Sequence, residues 1–195
     1  MLEVTRLLVE KQGQPICQVE HLLVNPGERV TITGANGTGK STLLRVIAGL
    51  EPSYSGTLVS SWSIADRVYV HQNPIMFQGS VERNVGFGLK SRGFSSQNRM
   101  KKTTEVMERL QCRHLLAANA TQLSAGERRR VALARAIVLA PALLLLDEPF
   151  AELDSSGVEV VCQVLKALDS TVLIASPVSV PSKLQSTTVV LHKPE

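Results

Sequence analysis

The hydrophobic positions of this chain change their period several times, and the changes predict an alternation of strands and helices around a different middle. Arg29–Thr33 (RVTIT) reads as a strand after the turn residues Asn25, Pro26 and Gly27. Residues 41–48 (STLLRVIA) read as a helix stopped by Gly49 and Pro52. Short β-like runs, GTLV and RVYV, lie between residues 54 and 70, and from 73 to about 121 the chain turns polar and helical, with 101–110 (KKTTEVMERL) as its clearest helix. A βα pattern then resumes. Residues 125–140 form a helix closed by Pro141, 142–146 are apolar at every position, 158–168 read as a helix and 171–175 as a strand. A strand apolar at every position belongs in a parallel sheet covered on both faces. The pattern predicts one α/β domain in which the segment 73–121 forms an inserted helical subdomain.

Composition narrows the class. At 195 residues, 44% hydrophobic and 19% charged, the chain can bury a sizeable core. The 21 basic and 17 acidic residues leave a net charge of +4, too mild and scattered to call for nucleic acid, and the run Arg128-Arg129-Arg130 reads as a solvated helix face. Cys17, Cys112 and Cys162 are odd in number and in no metal-ligand spacing, so they read as free thiols in a reducing compartment. No basic-then-apolar signal segment opens the chain, and its longest apolar run falls far short of the ~20 residues of a membrane span. These features predict a cytoplasmic protein whose membrane role, if it has one, runs through a partner.

Three motifs carry chemistry. The first, Gly34-Ala35-Asn36-Gly37-Thr38-Gly39-Lys40-Ser41, fits G-x-x-x-x-G-K-[ST] between a predicted strand and a predicted helix. Glycines let the backbone turn its N–H groups toward phosphate oxygens, the helix N-terminus adds positive potential, Lys40 reaches the outer phosphates and Ser41 can ligate magnesium. The second, LLLLDEP, ends an apolar strand in Asp147-Glu148 at the carboxyl edge of a parallel sheet, where ligands of open α/β sheets sit. Asp147 is expected to hold magnesium through water, and Glu148 to polarise the attacking water as general base. The third is LSAGERRR. Ser124 and Glu127 fit a capping box, which accounts for both but leaves Gly126 without a reason; an exposed Ser and Gly at a helix start also make a second anion site, which suggests a partner subunit.

In order and spacing, these motifs with Gln72 and the AELD at residues 151–154 resemble the ATP-binding subunits of ABC transporters, over nearly the whole chain. With the pattern, the resemblance implies a P-loop ATPase of the ABC type, an α/β domain whose core, 1–72 and 122–195, is a mixed sheet with an antiparallel β portion at its start and 73–121 as the helical subdomain, with ATP and Mg2+ as cofactors. It implies a head-to-tail homodimer or pseudo-dimer with ATP at the interface, docked on transmembrane permease subunits at the cytoplasmic face of the membrane. On this reading residues 34–42, Thr42 included, bind phosphates and magnesium, Gln72 completes the magnesium site, Ser124 and Gly126 contact ATP in trans, and Asp154 lies in a loop coupling the two sites. Residues 70–93 resemble the corresponding stretch of ATPases serving oxyanion importers, above all those for tungstate or molybdate, and Phe77, Val81, Val85 and Phe87 form either a groove for a permease helix or subdomain core. No C-terminal regulatory domain is expected.

Two departures stand against the resemblance. Pro177 falls where such ATPases carry a histidine that contacts the γ-phosphate, and proline offers neither a donor side chain nor a backbone N–H. Neither His71 nor His192, the latter expected in the last strand, matches that position. No aromatic residue precedes Tyr54, so the ring that stacks on adenine is missing, and Arg6, Lys11 or Leu8 is left to cover the base. A nucleotide-binding but poorly hydrolysing regulatory subunit is therefore one alternative. A soluble ABC ATPase acting on DNA or ribosomes is another, though Leu123 follows Lys40 by only 83 residues, which leaves no room for a long coiled-coil insertion.

Overall fold

The computed structural model describes residues 1–194. Thirteen strands and α-helices follow one another: β1 (Leu2–Lys11), β2 (Gln14–Val24), β3 (Arg29–Thr33), α1 (Lys40–Ile47), β4 (Ser55–Ser60), β5 (Arg67–Val70), α2 (Val81–Ser91), α3 (Ser96–Arg109), α4 (Ala125–Ile137), β6 (Leu143–Asp147), α5 (Ser155–Lys166), β7 (Thr171–Ser176) and β8 (Thr187–Val190). The chain divides into two compact units: Met1–Tyr69 with Ala142–Glu148 and Asp169–Glu195, and Val70–Pro141 with Pro149–Leu168. The second is wider than the segment 73–121, because α4 and α5 belong to it.

The first unit holds two sheets. One is antiparallel, in the order β2-β1-β4. Strand β1 shows why its alternation is hard to read in sequence: Leu2 and Val4 are buried, then Leu7 and Val9, so the inward phase flips at Arg6. Arg6 sits at φ 49, where the pairing with β4 shifts between Thr5 and Leu8. A bulge of this kind reverses which side chains face inward. Gly56 stands opposite, and a side chain there would come within 2.6 Å of the Arg6 carbonyl carbon.

The second sheet runs β5-β6-β7-β3-β8, with β3 parallel to β7 and β8 and β6 parallel to β7. Every residue of β6 and β7 is buried, as a strand covered on both faces requires. Helix α1 packs on β2, β6 and β7. Its C-terminus closes with Gly49 N–H donating to Val46 O and Leu50 N–H to Arg45 O, the paired bonds of a Schellman ending. Leu2, Val30, Leu44, Leu145 and Leu173 belong to one apolar cluster.

The second unit packs α2 against α3 and α4, and α4 against α5. Helix α3 starts at Ser96, five residues before the expected 101, because the Ser95 hydroxyl caps it by accepting from Asn98 N at 3.3 Å. Helix α5 starts at Ser155, three residues before the expected 158, because the Asp154 carboxylate accepts from Gly157 N at 2.7 Å. Helix α4 stops at Ile137 rather than 140: Ala140 turns to φ 47, and a residue before proline is steered away from helical backbone. The expected solvated face at 128–130 is also corrected. Arg128 is exposed, but one helical step rotates Arg129 inward to 3% exposure. His192 lies beyond β8, not within the last strand. Cys17, Cys112 and Cys162 are buried and joined by no disulfide, and burial pushes the Cys17 thiol up to about 11.

Candidate functional site: a phosphate loop and its carboxylates

The first unit gathers the loop and both acidic residues. Strand β3 delivers Gly34, Ala35–Gly37 form an exposed tip, and Gly39 at φ 91 is the N-cap of α1. A side chain at Gly39 would come to 2.5 Å from Ile16 O and 2.6 Å from Cys17 Cβ, so β2 braces the foot of the loop and only glycine fits. No side chain caps α1 and no acidic residue stands in its first turn, which leaves its positive end uncompensated by the protein.

Lys40 is 7% exposed and donates from Nζ to Gly34 O at 2.7 Å and Ala35 O at 2.8 Å. Desolvation lowers the pKa of its ammonium, while Glu148 and Asp147 pull it back up. Such a buried cation, held only by two neutral carbonyls, can exchange them for anionic oxygens. Thr38 Oγ1, at the loop's inner side, is buried with no hydrogen-bond partner among the described residues. Thr42 follows on the first turn of α1, half-buried.

Asp147 ends β6 at 3% exposure, and Ser41 Oγ donates to its Oδ1 at 3.0 Å. Hard oxygens of this kind suit magnesium, which usually completes its octahedron with substrate phosphates and water. The donor set thus fits the expected metal. Tyr69 donates its OH to Asp147 Oδ2 at 2.9 Å; sequence reading missed it, and the available signal was a tyrosine at the end of the RVYV run. Glu148 follows at φ 49, left-handed for a non-glycine residue, with its N–H donating to Ala175 O at 2.9 Å. Backbone strain of this sort gathers at functional positions.

Pro177 follows β7 and borders, with Gly34 and Ala35, a cleft of about 680 Å³ lined by Thr33, Ser179, Ser182 and Thr188. The Ser176 hydroxyl accepts from Val178 N at 3.3 Å and donates to Val178 O at 2.6 Å, which folds the chain around the proline. His71 Nδ1 accepts from Asn73 N. Of the groups expected to cover adenine, Lys11 pairs with Glu51 at 3.6 Å and Arg6 occupies the exposed bulge. Ile16, which sequence reading passed over, lies against the loop.

The second unit holds the remaining expected residues. Ser124 caps α4 in a full capping box: its N–H and Oγ both donate to Glu127 Oε2, at 2.9 and 2.7 Å, and its Oγ accepts from Glu127 N at 3.4 Å. Those bonds hold the Glu127 carboxyl below its ordinary value. Gly126, left without a reason by the capping box, has one in packing: a side chain there would come to 3.0 Å from Glu152 O. Arg129 donates to Gln72 O and, at 3.3 Å, to the Glu152 carboxylate. Asp154 is committed to its α5 cap and to Ser156 Oγ at 3.0 Å. Val81 and Val85 are fully buried core, whereas Phe77 and Phe87 are 45% and 54% exposed with ring centroids 4.9 Å apart. These two rings line a cleft of about 600 Å³ with Glu82, Arg83, Lys90 and Arg99. Among the described residues no helix is long and apolar enough to cross a membrane.

Known proteins resemble this chain in sequence and in fold. The chain is 40% identical over 144 residues to the sulfate/thiosulfate import ATP-binding protein CysA of Mesostigma viride, covering 69% of this chain and 41% of that protein. It is 37% identical over 171 residues to the sn-glycerol-3-phosphate import ATP-binding protein UgpC of Jannaschia sp. (strain CCS1), covering 80% and 48%. The Fe(3+) ions import ATP-binding protein FbpC of Pasteurella multocida (strain Pm70) is 40% identical over 144 residues, covering 69% and 41%. The chain thus spans less than half the length of these three relatives. Among solved structures, cbiO1 of Clostridium perfringens, described as part of the ABC transporter complex cbiONQ, superposes with a TM-score of 0.78 at 28% identity, over 90% of this chain and 77% of that one. A structure described as an ATP binding subunit of an ABC transporter gives a TM-score of 0.86 at 21% identity, over 98% and 85%, and supports the fold. The family model described as ABC transporter matches residues 18–151, and the chain belongs to that family, with the α/β fold of its ATP-binding domain.

Proposed function

We propose that this chain is the ATP-binding subunit of an ABC importer, converting ATP binding and hydrolysis into movement of transmembrane permease subunits. The observation that carries the reading is the convergence, in one unit, of Lys40 and Ser41 at the uncapped start of α1 with Asp147 and Glu148 at the end of β6. Residues 34–42 bind the phosphates through loop N–H groups and the Lys40 ammonium, which exchanges its two loop carbonyls for phosphate oxygens. Ser41 and Asp147 hold magnesium, whose charge, when bound, offsets that of the phosphates. Gln72 is assigned to the same metal. Glu148 orients water and accepts its proton as the γ-phosphoryl group leaves. Ser124 and Gly126 are assigned to the ATP of a second copy in a head-to-tail dimer. The exposed Phe77–Phe87 pair, rimmed by three basic residues and Glu82, is the surface for a permease helix at the cytoplasmic face. For the solute we propose an oxyanion, with tungstate or molybdate as the specific assignment from residues 70–93; the sulfate/thiosulfate and sn-glycerol-3-phosphate importers among the relatives support an anion, and the Fe(3+) importer does not.

Pro177 favours a second reading, a subunit that binds ATP and turns it over slowly. Loss of one charge-stabilising contact in a transition state typically lowers the rate ~10²- to 10³-fold. Both readings are separated by steady-state phosphate release from Mg-ATP, with Glu148→Gln as the blank. If the native rate stands well above the blank and Pro177→His adds little, the hydrolysing importer subunit is supported. A native rate at the blank, raised severalfold or more by Pro177→His, supports the slow binder.

A further inference from the structure

The two oxygens of the Asp147 carboxylate are divided between donors from different elements. Ser41 Oγ, at the start of α1, takes Oδ1 at 3.0 Å, and the Tyr69 OH, near the end of β5, takes Oδ2 at 2.9 Å. Strands β5 and β6 are neighbours in the five-stranded sheet, so the phenol approaches from the side, independently of the phosphate loop. A carboxylate held at one oxygen can still turn about its Cβ–Cγ bond, whereas one held at both cannot. With Asp147 only 3% exposed, water is poorly placed to replace a lost donor. Tyr69 belongs to none of the three motifs.

We infer that Tyr69 is a positioning residue: its phenol fixes Asp147 in the orientation in which that carboxylate, together with Ser41 Oγ, presents oxygens to the magnesium of a bound nucleotide. The inference rests on the proposed ATP-binding function. It assigns Tyr69 no contact with nucleotide, water or metal. Its removal therefore acts only on magnesium-dependent binding.

The test is Tyr69→Phe in the full chain, which keeps the ring and deletes the donor. Binding of a fluorescent ATP analogue is titrated in EDTA and then against added Mg2+, and a thermal melt of each variant confirms the fold. The expected result is an unchanged affinity in EDTA, within about twofold, and a rise of about tenfold in the Mg2+ concentration needed for half-maximal tight binding, the low end for a hydrogen bond to a buried charge. In an Asp147→Asn background the same substitution should add nothing to the Mg2+ requirement. An unchanged Mg2+ requirement in Tyr69→Phe, or an equal loss of binding with and without Mg2+, overturns the inference and leaves Tyr69 a packing residue. If the native chain binds the analogue without any dependence on Mg2+, the assignment of Ser41 and Asp147 to the metal fails first, whatever the variant does.

Discussion

The N-termini of α1 and α4 carry the two sequence motifs associated with phosphate, and they are built in opposite ways. At α1 no side chain caps the helix and its first turn holds no acid. The surrounding groups come from far along the chain: Asp147 lies 106 residues from Ser41 and 78 from Tyr69. At α4 the cap is complete within four residues, and the carboxylate of Glu127 already accepts both donors of Ser124. The first terminus keeps its positive end for an incoming anion. An anion arriving at the second must compete with Glu127 for the Ser124 hydroxyl. A helix start offers an anion its full positive end only when the protein withholds its own carboxylate.

The largest effect that sharpens this contrast is on chemistry at the α1 end. Glu148→Gln should lower phosphate release ~10²- to 10⁴-fold, the usual contribution of a general base, while nucleotide affinity stays within about threefold of native by calorimetric titration. An equally large loss of affinity would mean that Glu148 serves binding, and the division of labour with Lys40 would fail. The next effect tests a place where α4 itself depends on remote partners. Arg129→Ala removes a buried guanidinium from Gln72 O and Glu152, and should cost ~2 kcal/mol, whereas Arg128→Ala on the exposed face should stay within ~0.5 kcal/mol. Equal melting shifts for the two would sink the claim that the basic run is split between core and solvent. The smallest effect concerns the local cap. Ser124→Ala should cost ~1 kcal/mol. The depressed Glu127 pKa sets a sign: the folded form holds its proton less tightly than the unfolded one, so this contribution is present above the ordinary carboxyl value of 4.5 and fades as pH falls through the lower folded value. Stability against pH, compared between native chain and Glu127→Gln, should diverge above that value and converge in acid; parallel curves would argue against the capping interaction.

Much of the site was readable residue by residue. Gly34–Ser41 and Asp147-Glu148 each combine a backbone conformation and a chemistry encoded within eight residues, and the fully apolar β6 announces its burial directly. Helix starts were less readable, since at α3 and α5 the caps Ser95 and Asp154 precede the apolar period by several residues. Strand β1 resisted for a different reason. Its alternation is regular on either side of Arg6, but the bulge that joins the two halves depends on Gly56, fifty residues away.

The features legible in the string are therefore local: a glycine loop before a helix, a helix start free of acids, strands too apolar for solvent and a carboxylate pair at the end of one of them. The tertiary structure decided which groups meet. It placed Arg129 inside and Arg128 outside, gave Gly126 a packing reason in the Glu152 carbonyl, and brought Ser41 and Tyr69 to opposite oxygens of Asp147. The reason is one of range. Hydrogen-bonding period, capping and turn chemistry act over a few residues and leave their mark in the string, whereas the side-by-side order of β5, β6, β7 and β3 brings together distant segments, β3 and β7 pairing Arg29 with Val172, and no local signal records which neighbour a strand will take.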